Sequence, residues 1–228
     1  MITHPWNISP REAIRLQRKL AHKVSVEPLA GEVRTIAGTD CAFSHGGKRP
    51  AGDAPGGRIV AVAVLCDAKT MEVVASACEV RPCKFPYVPG LLSFREGPAV
   101  IAAVRKLPFP ADLLMCDGQG LAHPRGLGLA SHVGLLLDLP TIGVAKSRLC
   151  GRHREPGAKR GCRTQLRHEG KVIGWVVRTR TNVKPLYISP GHRITALEAV
   201  AWTLGCCRGV RLPQPTRLAH QYVTQMKQ

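Results

Sequence analysis

Forty residues, Ala111 to Cys150, constrain the chain most: ADLLMCDGQGLAHPRGLGLASHVGLLLDLPTIGVAKSRLC. Leu113 to Cys116 is a short apolar run that stops at Asp117. A glycine-punctuated loop follows, with Gly118, Gly120, His123, Pro124 and Arg125. An apolar helical stretch comes next, and Thr141 to Ala145 reads as a second strand ending at Lys146. Strand, loop, helix and strand make a βαβ unit, whose crossover renders the two strands parallel. In open sheets of this kind functional groups gather at the carboxyl ends of the strands. Asp117 and Lys146 both fall there. A carboxylate and an ammonium on one rim suit a metal ion and a phosphate respectively.

The rest of the chain supplies a sheet for this unit to join. Residues Pro10 to Val24 space Ala13, Ile14, Leu16, Leu20 and Ala21 as one apolar stripe, with Ser9 and Pro10 as cap and first turn. Arg34 to Phe43 predicts a strand with Asp40 near its carboxyl end, and Ser44 to Gly57 predicts a mobile loop. Arg58 to Cys66 and Glu72 to Val80 form a hairpin across Asp67 to Met71. A proline-bracketed turn then presents Tyr87, and a helix carries Val100, Ile101, Ala103, Val104 and Leu107. Ser93 and Glu96 fit a capping box. That start would place Pro98 inside the helix at a cost of about 3 kcal/mol. A start at Gly97, with Pro98 first, avoids the cost and leaves Glu96 just outside the helix.

Gly151 to Arg167 reads as a basic surface excursion, followed by a strand pair at Lys171 to Arg178 and Lys184 to Ser189. Thr195 and Glu198 cap the last good helix, Ala196 to Leu204. From about Arg208 a basic, proline-bearing tail is expected to be flexible, and all 228 residues are read as one domain.

Charge narrows the partners. Thirty-three Lys and Arg against fifteen Asp and Glu give a formal +18, which points to a polyanion and most simply to nucleic acid. No stretch reaches the length of a membrane span, and the N-terminal residues do not read as a secretory signal. The nine cysteines show no zinc-knuckle spacing, and several fall inside apolar runs. A reduced, cytoplasmic monomer is expected.

Asp40 and Asp117 each interrupt an apolar strand, where an unpaired carboxylate is costly. Neighbouring strands would bring them together, with Glu96 entering from the adjacent helix. Carboxylates held together resist ionisation unless a cation joins them. Three oxygen donors from separate elements suit Mg²⁺, with Mn²⁺ as a substitute.

Four blocks carry a resemblance. They are IAGTDCAF around Asp40, PYVPGLLSFREGP from Pro86, the Cys116 to Gly151 block, and SPGHRI from Ser189. In residues, order and spacing they resemble endonuclease V of bacterial type, the deoxyinosine 3′ endonuclease. Val88, Thr39 and Cys41 depart mildly from the family pattern. The resemblance implies an α/β RNase H-like fold, with a central mixed sheet of three antiparallel strands plus parallel ones, flanked by helices. It implies that Asp40, Asp117 and Glu96 bind Mg²⁺ and that His192 lies near the reacting phosphate. The alternative reading of His192 is a histidine at a helix entrance that merely bonds backbone. It further implies hydrolysis of the second phosphodiester bond 3′ to deoxyinosine, leaving 3′-hydroxyl and 5′-phosphate ends.

A target base must leave the stack to be read, and the turn at Tyr87, continuing through Pro89, Gly90 and Leu92, resembles the family's wedge, which implies that Tyr87 fills the gap the base leaves. The loop from Gly118 through Gly120 to His123 resembles the family's hypoxanthine pocket, which implies that the base is read there. His123 and Arg125 would contact the pocket or the backbone, and Lys146 would grip a phosphate. Inosine in RNA, mismatches and abasic sites are further candidate substrates. Another RNase H-like structure-specific nuclease and a non-catalytic basic binder are the competing readings.

Overall fold

The computed structural model describes residues 2–44 and 57–226. In chain order they form α1 (Pro10–Ala21), β1 (Thr35–Ser44), β2 (Arg58–Asp67), β3 (Val73–Pro82), α2 (Leu92–Arg105), β4 (Leu113–Cys116), α3 (Leu129–Leu137), β5 (Thr141–Ala145), β6 (Arg163–His168), β7 (Lys171–Val177), β8 (Leu186–His192), α4 (Ala196–Gly205) and α5 (Gln214–Gln225). The loop expected over 44–57 falls mostly on 45–56, outside the described residues.

All strands join one sheet in the order β3-β2-β1-β4-β5-β8-β7-β6. β1, β2 and β3 are an antiparallel meander, and β4 and β5 extend it parallel to β1. The predicted βαβ unit is there, with α3 as its crossover. Beyond β5 the sheet turns antiparallel again through β8, β7 and β6. The last part of the segment expected as a surface excursion, from Arg163 on, is thus the edge strand β6, where only Leu166 is buried and its neighbours face water.

Helices cover both faces. Ala37, Leu114 and Cys116 pack toward α2 and α3. Ile36, Met115, Ile142 and Val144 pack toward α4, and Val60, Val62 and Val64 toward α5. α1 begins as predicted, with a capping box between Ser9 and Glu12 and Pro10 in the first turn. α4 begins with the predicted box between Thr195 and Glu198.

Two helices correct the sequence reading. α2 starts at Leu92, not Gly97, and keeps Pro98 inside it. Burial of Phe94, Glu96 and Gly97 in its first turns, with Gly97 lying against Trp6, outweighs the lost hydrogen bond. The expected flexible tail is instead α5, docked on β1 and β2 through Ala219 and Val223. Its docking depends on Gly38. A Cβ there would lie 2.1 Å from the carbonyl carbon of Pro215, so only glycine lets the first turn of α5 rest on β1.

Candidate active site

Strand register brings the two aspartates together. Thr39 pairs with Cys116 across the parallel β1–β4 ladder, and Asp117 N–H donates to Thr39 C=O at 3.2 Å. The next residue on each strand is therefore an aspartate. α5, seated by Gly38, adds His220, whose Nδ1 donates to Asp40 Oδ2 at 2.6 Å. Asp40, Asp117 and His220 each offer a ligand atom within 4.8 Å of the others. His220 was missed in the sequence because the residues after Arg208 were read as tail.

Glu96 lies behind this group, buried in the first turns of α2. Burial, then the charges of Asp40 and Asp117, push its pKa up to about 8, against a weaker pull from Arg95. Burial and Asp40 also raise Asp117, opposed by Lys146. The Lys146 ammonium lies directly on Asp117 Oδ2. Crowded, desolvated carboxyls with one imidazole are a donor set that fits a hard divalent cation, because a cation offsets both the burial and the mutual repulsion.

His192 is not part of this cluster. It ends β8, where it pairs with Thr141 at the start of β5, while Tyr187 pairs with Ala145 beside Lys146. Leu114 is level with Thr141, so three residues of strand, about 10 Å, separate His192 along the strand direction from Asp117, two strands away. Its Nδ1 accepts from Ser25 N–H at 3.1 Å, and its Nε2 lies 3.6 Å from Asp138. Burial lowers its pKa. The expectation that it stands near the reacting phosphate is corrected: it ties β8 to the segment after α1.

Asp117 also belongs to the wall of a cavity of about 350 Å³. The opposite wall is the turn carrying Tyr87, Val88, Pro89 and Gly90, continued by Leu92 and Ser93. Gly118, His123 and Lys146 contribute to it, and Ser147 to Leu149 close one side. Tyr87 stands 47% exposed at the rim.

Gly120 and Arg125 do not themselves line the cavity. Gly120 supports the loop from below: a Cβ would meet Pro190 O at 2.2 Å, and its N–H donates to Ser189 Oγ at 2.9 Å. Arg125 braces the wall from outside, donating to Gly90 C=O at 2.8 Å and to Gln17 Oε1. His123 donates from Nε2 to the same carbonyl at 2.8 Å and accepts Arg125 N–H on Nδ1 at 3.1 Å. Burial pushes its pKa down to about 4, so it acts as a neutral strut. Gln17, fully buried, donates to Leu127 C=O at 2.7 Å and to Gly90 C=O at 3.1 Å. Its signal in the sequence was a polar residue on the apolar stripe of Ala13 and Leu20.

The family model of endonuclease V matches residues 18–221. The chain belongs to the endonuclease V family. It is 46% identical over 220 residues to endonuclease V of Gloeobacter violaceus, covering 96% of this chain and 87% of that one. The crystal structure of endonuclease V from Streptomyces avermitilis superposes with a TM-score of 0.87 at 40% identity, covering 99% of this chain and 96% of the other. Family membership makes the chain a nuclease with an RNase H-like fold. A more distant likeness, at 23% identity and a TM-score of 0.80, covers 96% of this chain and 98% of the other. It is to Ciona intestinalis endonuclease V (D234N) in complex with a 23mer DNA containing an inosine followed by a ribo-adenosine. Among the described residues no helix is long and apolar enough to cross a membrane.

Proposed function

We propose that the protein is a Mg²⁺-dependent endonuclease acting on deoxyinosine in DNA, with Mn²⁺ as an alternative cation. It hydrolyses the second phosphodiester bond 3′ to the lesion, leaving 3′-hydroxyl and 5′-phosphate ends. One observation carries this reading. Asp117 is shared between the acidic cluster and the cavity bounded by the Tyr87 turn. Recognition and hydrolysis therefore meet at one strand end. The Ciona relative, bound to inosine DNA, supports the choice of base.

Asp40 and Asp117 would hold the cation, with Glu96 and His220 completing its surroundings. When bound, Mg²⁺ supplies an acidified water and charge stabilisation at the leaving oxygen. The remaining work falls to the chain itself. His220 donates its Nδ1 hydrogen to Asp40, which leaves Nε2 free to take a proton or a ligand position. Lys146, at the mouth of the cavity, holds Asp117 in place and offers an ammonium to a phosphate oxygen. Tyr87, exposed on a proline-stiffened turn, fills the space an extruded base leaves. The +18 charge supplies general affinity for the backbone, which falls steeply with salt.

A nicking assay on inosine DNA, inosine RNA, branched DNA and plain duplex, each with Mg²⁺ and with chelator, tests the reading. Nicking confined to inosine DNA with Mg²⁺ is expected. Cutting of branched DNA irrespective of inosine indicates a structure-specific nuclease, and faster cutting of inosine RNA makes the protein a ribonuclease.

A further inference from the structure

The outer face of α1 carries charge that neither the fold nor the hydrolysis uses. Arg11, Arg15 and Arg18 stand at i, i+4 and i+7, so they form one row on the side of the helix opposite Ala13 and Leu20, which are buried. All three arginines are exposed, and none makes a hydrogen bond or ion pair among the described residues. Glu12, the one acid of α1, is committed to Ser9, whose N–H and hydroxyl donate to it at 2.8 and 2.7 Å.

The row works against the helix that bears it. Like charges three or four residues apart destabilise a helix, and a cation in the first turn opposes the macrodipole. Arg11 lies in that first turn, directly after Pro10. A polyanion laid along the row relieves both costs.

The position of the row is fixed by the other side of α1. Gln17 lines the cavity and donates to the carbonyls of Gly90 and Leu127. Arg125, which also donates to Gly90 C=O, has its pKa lowered by burial first and then by the charge of Arg18. Arg18 is thus the end of the row beside the cavity wall, and Arg11 is the far end. Along the helix axis the steps between the three arginines are about 6 and 4.5 Å. Long side chains on such steps reach successive phosphates of one strand, and each guanidinium offers paired N–H donors to phosphate oxygens.

We propose that Arg11, Arg15 and Arg18 form a rail for the sugar–phosphate backbone, holding the nucleic acid on one side of the inosine while the lesion occupies the cavity. This rests on the nucleic-acid part of the reading above and is independent of how the base is read. Backbone contacts fix register and carry no sequence information. The rail therefore strengthens binding to damaged and undamaged duplex alike, and it sets how much flanking duplex the protein uses.

Equilibrium binding, read by fluorescence anisotropy in chelator, tests this with deoxyinosine duplexes and with undamaged ones. One variant combines Arg11→Gln, Arg15→Gln and Arg18→Gln. A second combines Arg34→Gln, Lys69→Gln and Lys171→Gln, which removes the same charge at the end of the sheet opposite Asp117. Glutamine has nearly the helix propensity of arginine, so the rail variant is expected to keep its melting temperature. It should bind both duplexes about 10- to 100-fold more weakly at about 0.1 M salt, and the slope of log Kd against log salt should fall by about two to three. The second variant should stay within about one unit of the wild-type slope. Truncating the duplex close to the inosine on one side should cost wild type a similar factor and leave the rail variant unaffected. Truncating the other side should cost both. Equal loss of slope in the two variants, or a rail variant that still responds to both truncations as wild type does, overturns the rail. Wild-type protein that binds inosine and undamaged duplex equally overturns the substrate reading instead, since the rail is measured on either duplex.

Discussion

Replacing Glu96 by Gln should make the metal-free protein more stable near neutral pH. In the fold the Glu96 carboxyl keeps its proton up to about pH 8, against an ordinary value of 4.5. The unfolded chain therefore releases this proton long before the folded one does. Between 4.5 and 8 the folded state binds more protons than the unfolded, so stability falls as pH rises through that window. Each pH unit contributes about 1.4 kcal/mol, so at pH 7 the deficit is on the order of 3 kcal/mol. Glutamine is neutral in both states and carries no such deficit. For a chain of this size that corresponds to about 6–12 °C in melting temperature. Urea denaturation of both proteins from pH 4.5 to 8 in chelator reads the difference directly, since other titrations cancel between them. The gap should open with rising pH and narrow when Mg²⁺ is added, because a bound cation favours the ionised carboxylate. A constant gap across the pH range would refute the idea that Glu96 is desolvated against two further carboxyls.

Tyr87→Ala should weaken binding to inosine DNA by about 1–3 kcal/mol in anisotropy titrations. Equal loss on undamaged DNA would count against the wedge. His220→Ala should lose nicking with its melting temperature preserved, whereas His192→Ala should keep nicking and lose stability. Gly38→Ala forces the start of α5 off β1 and should lower both stability and nicking, because His220 rides on that helix. Restored nicking in either Gly38→Ala or His220→Ala would remove α5 from the site.

The parts of the site legible in the sequence were those where a residue contradicts its local pattern. Asp40 and Asp117 stood out because each interrupts an apolar stretch, and register places them side by side. The capping boxes of α1 and α4 are local chemistry and appeared where Ser9 and Thr195 put them. α5 was hidden because Pro213 and Pro215 look like breakers. Pro215 in fact sits in the first turn, and Leu218, Ala219, Tyr222 and Val223 recur at helical spacing. What anchors that helix is a close approach to Gly38, a contact that no local pattern records. His192 misled for the reverse reason. Its neighbours match the family block, yet the antiparallel pairing of β8 carries it to the far end of β5. Pro98 misplaced the start of α2, since tertiary burial of Phe94 and Glu96 overrides the proline's local cost.

The most direct test maps the break made in a deoxyinosine oligonucleotide with Mg²⁺ by wild-type protein and by Asp117→Asn. Wild type should cut once, at the second phosphodiester 3′ to the lesion, and Asp117→Asn should not cut although it remains folded. Cutting by Asp117→Asn at the wild-type rate, or wild-type breaks scattered without regard to inosine, would contradict a shared centre of recognition and hydrolysis at Asp117.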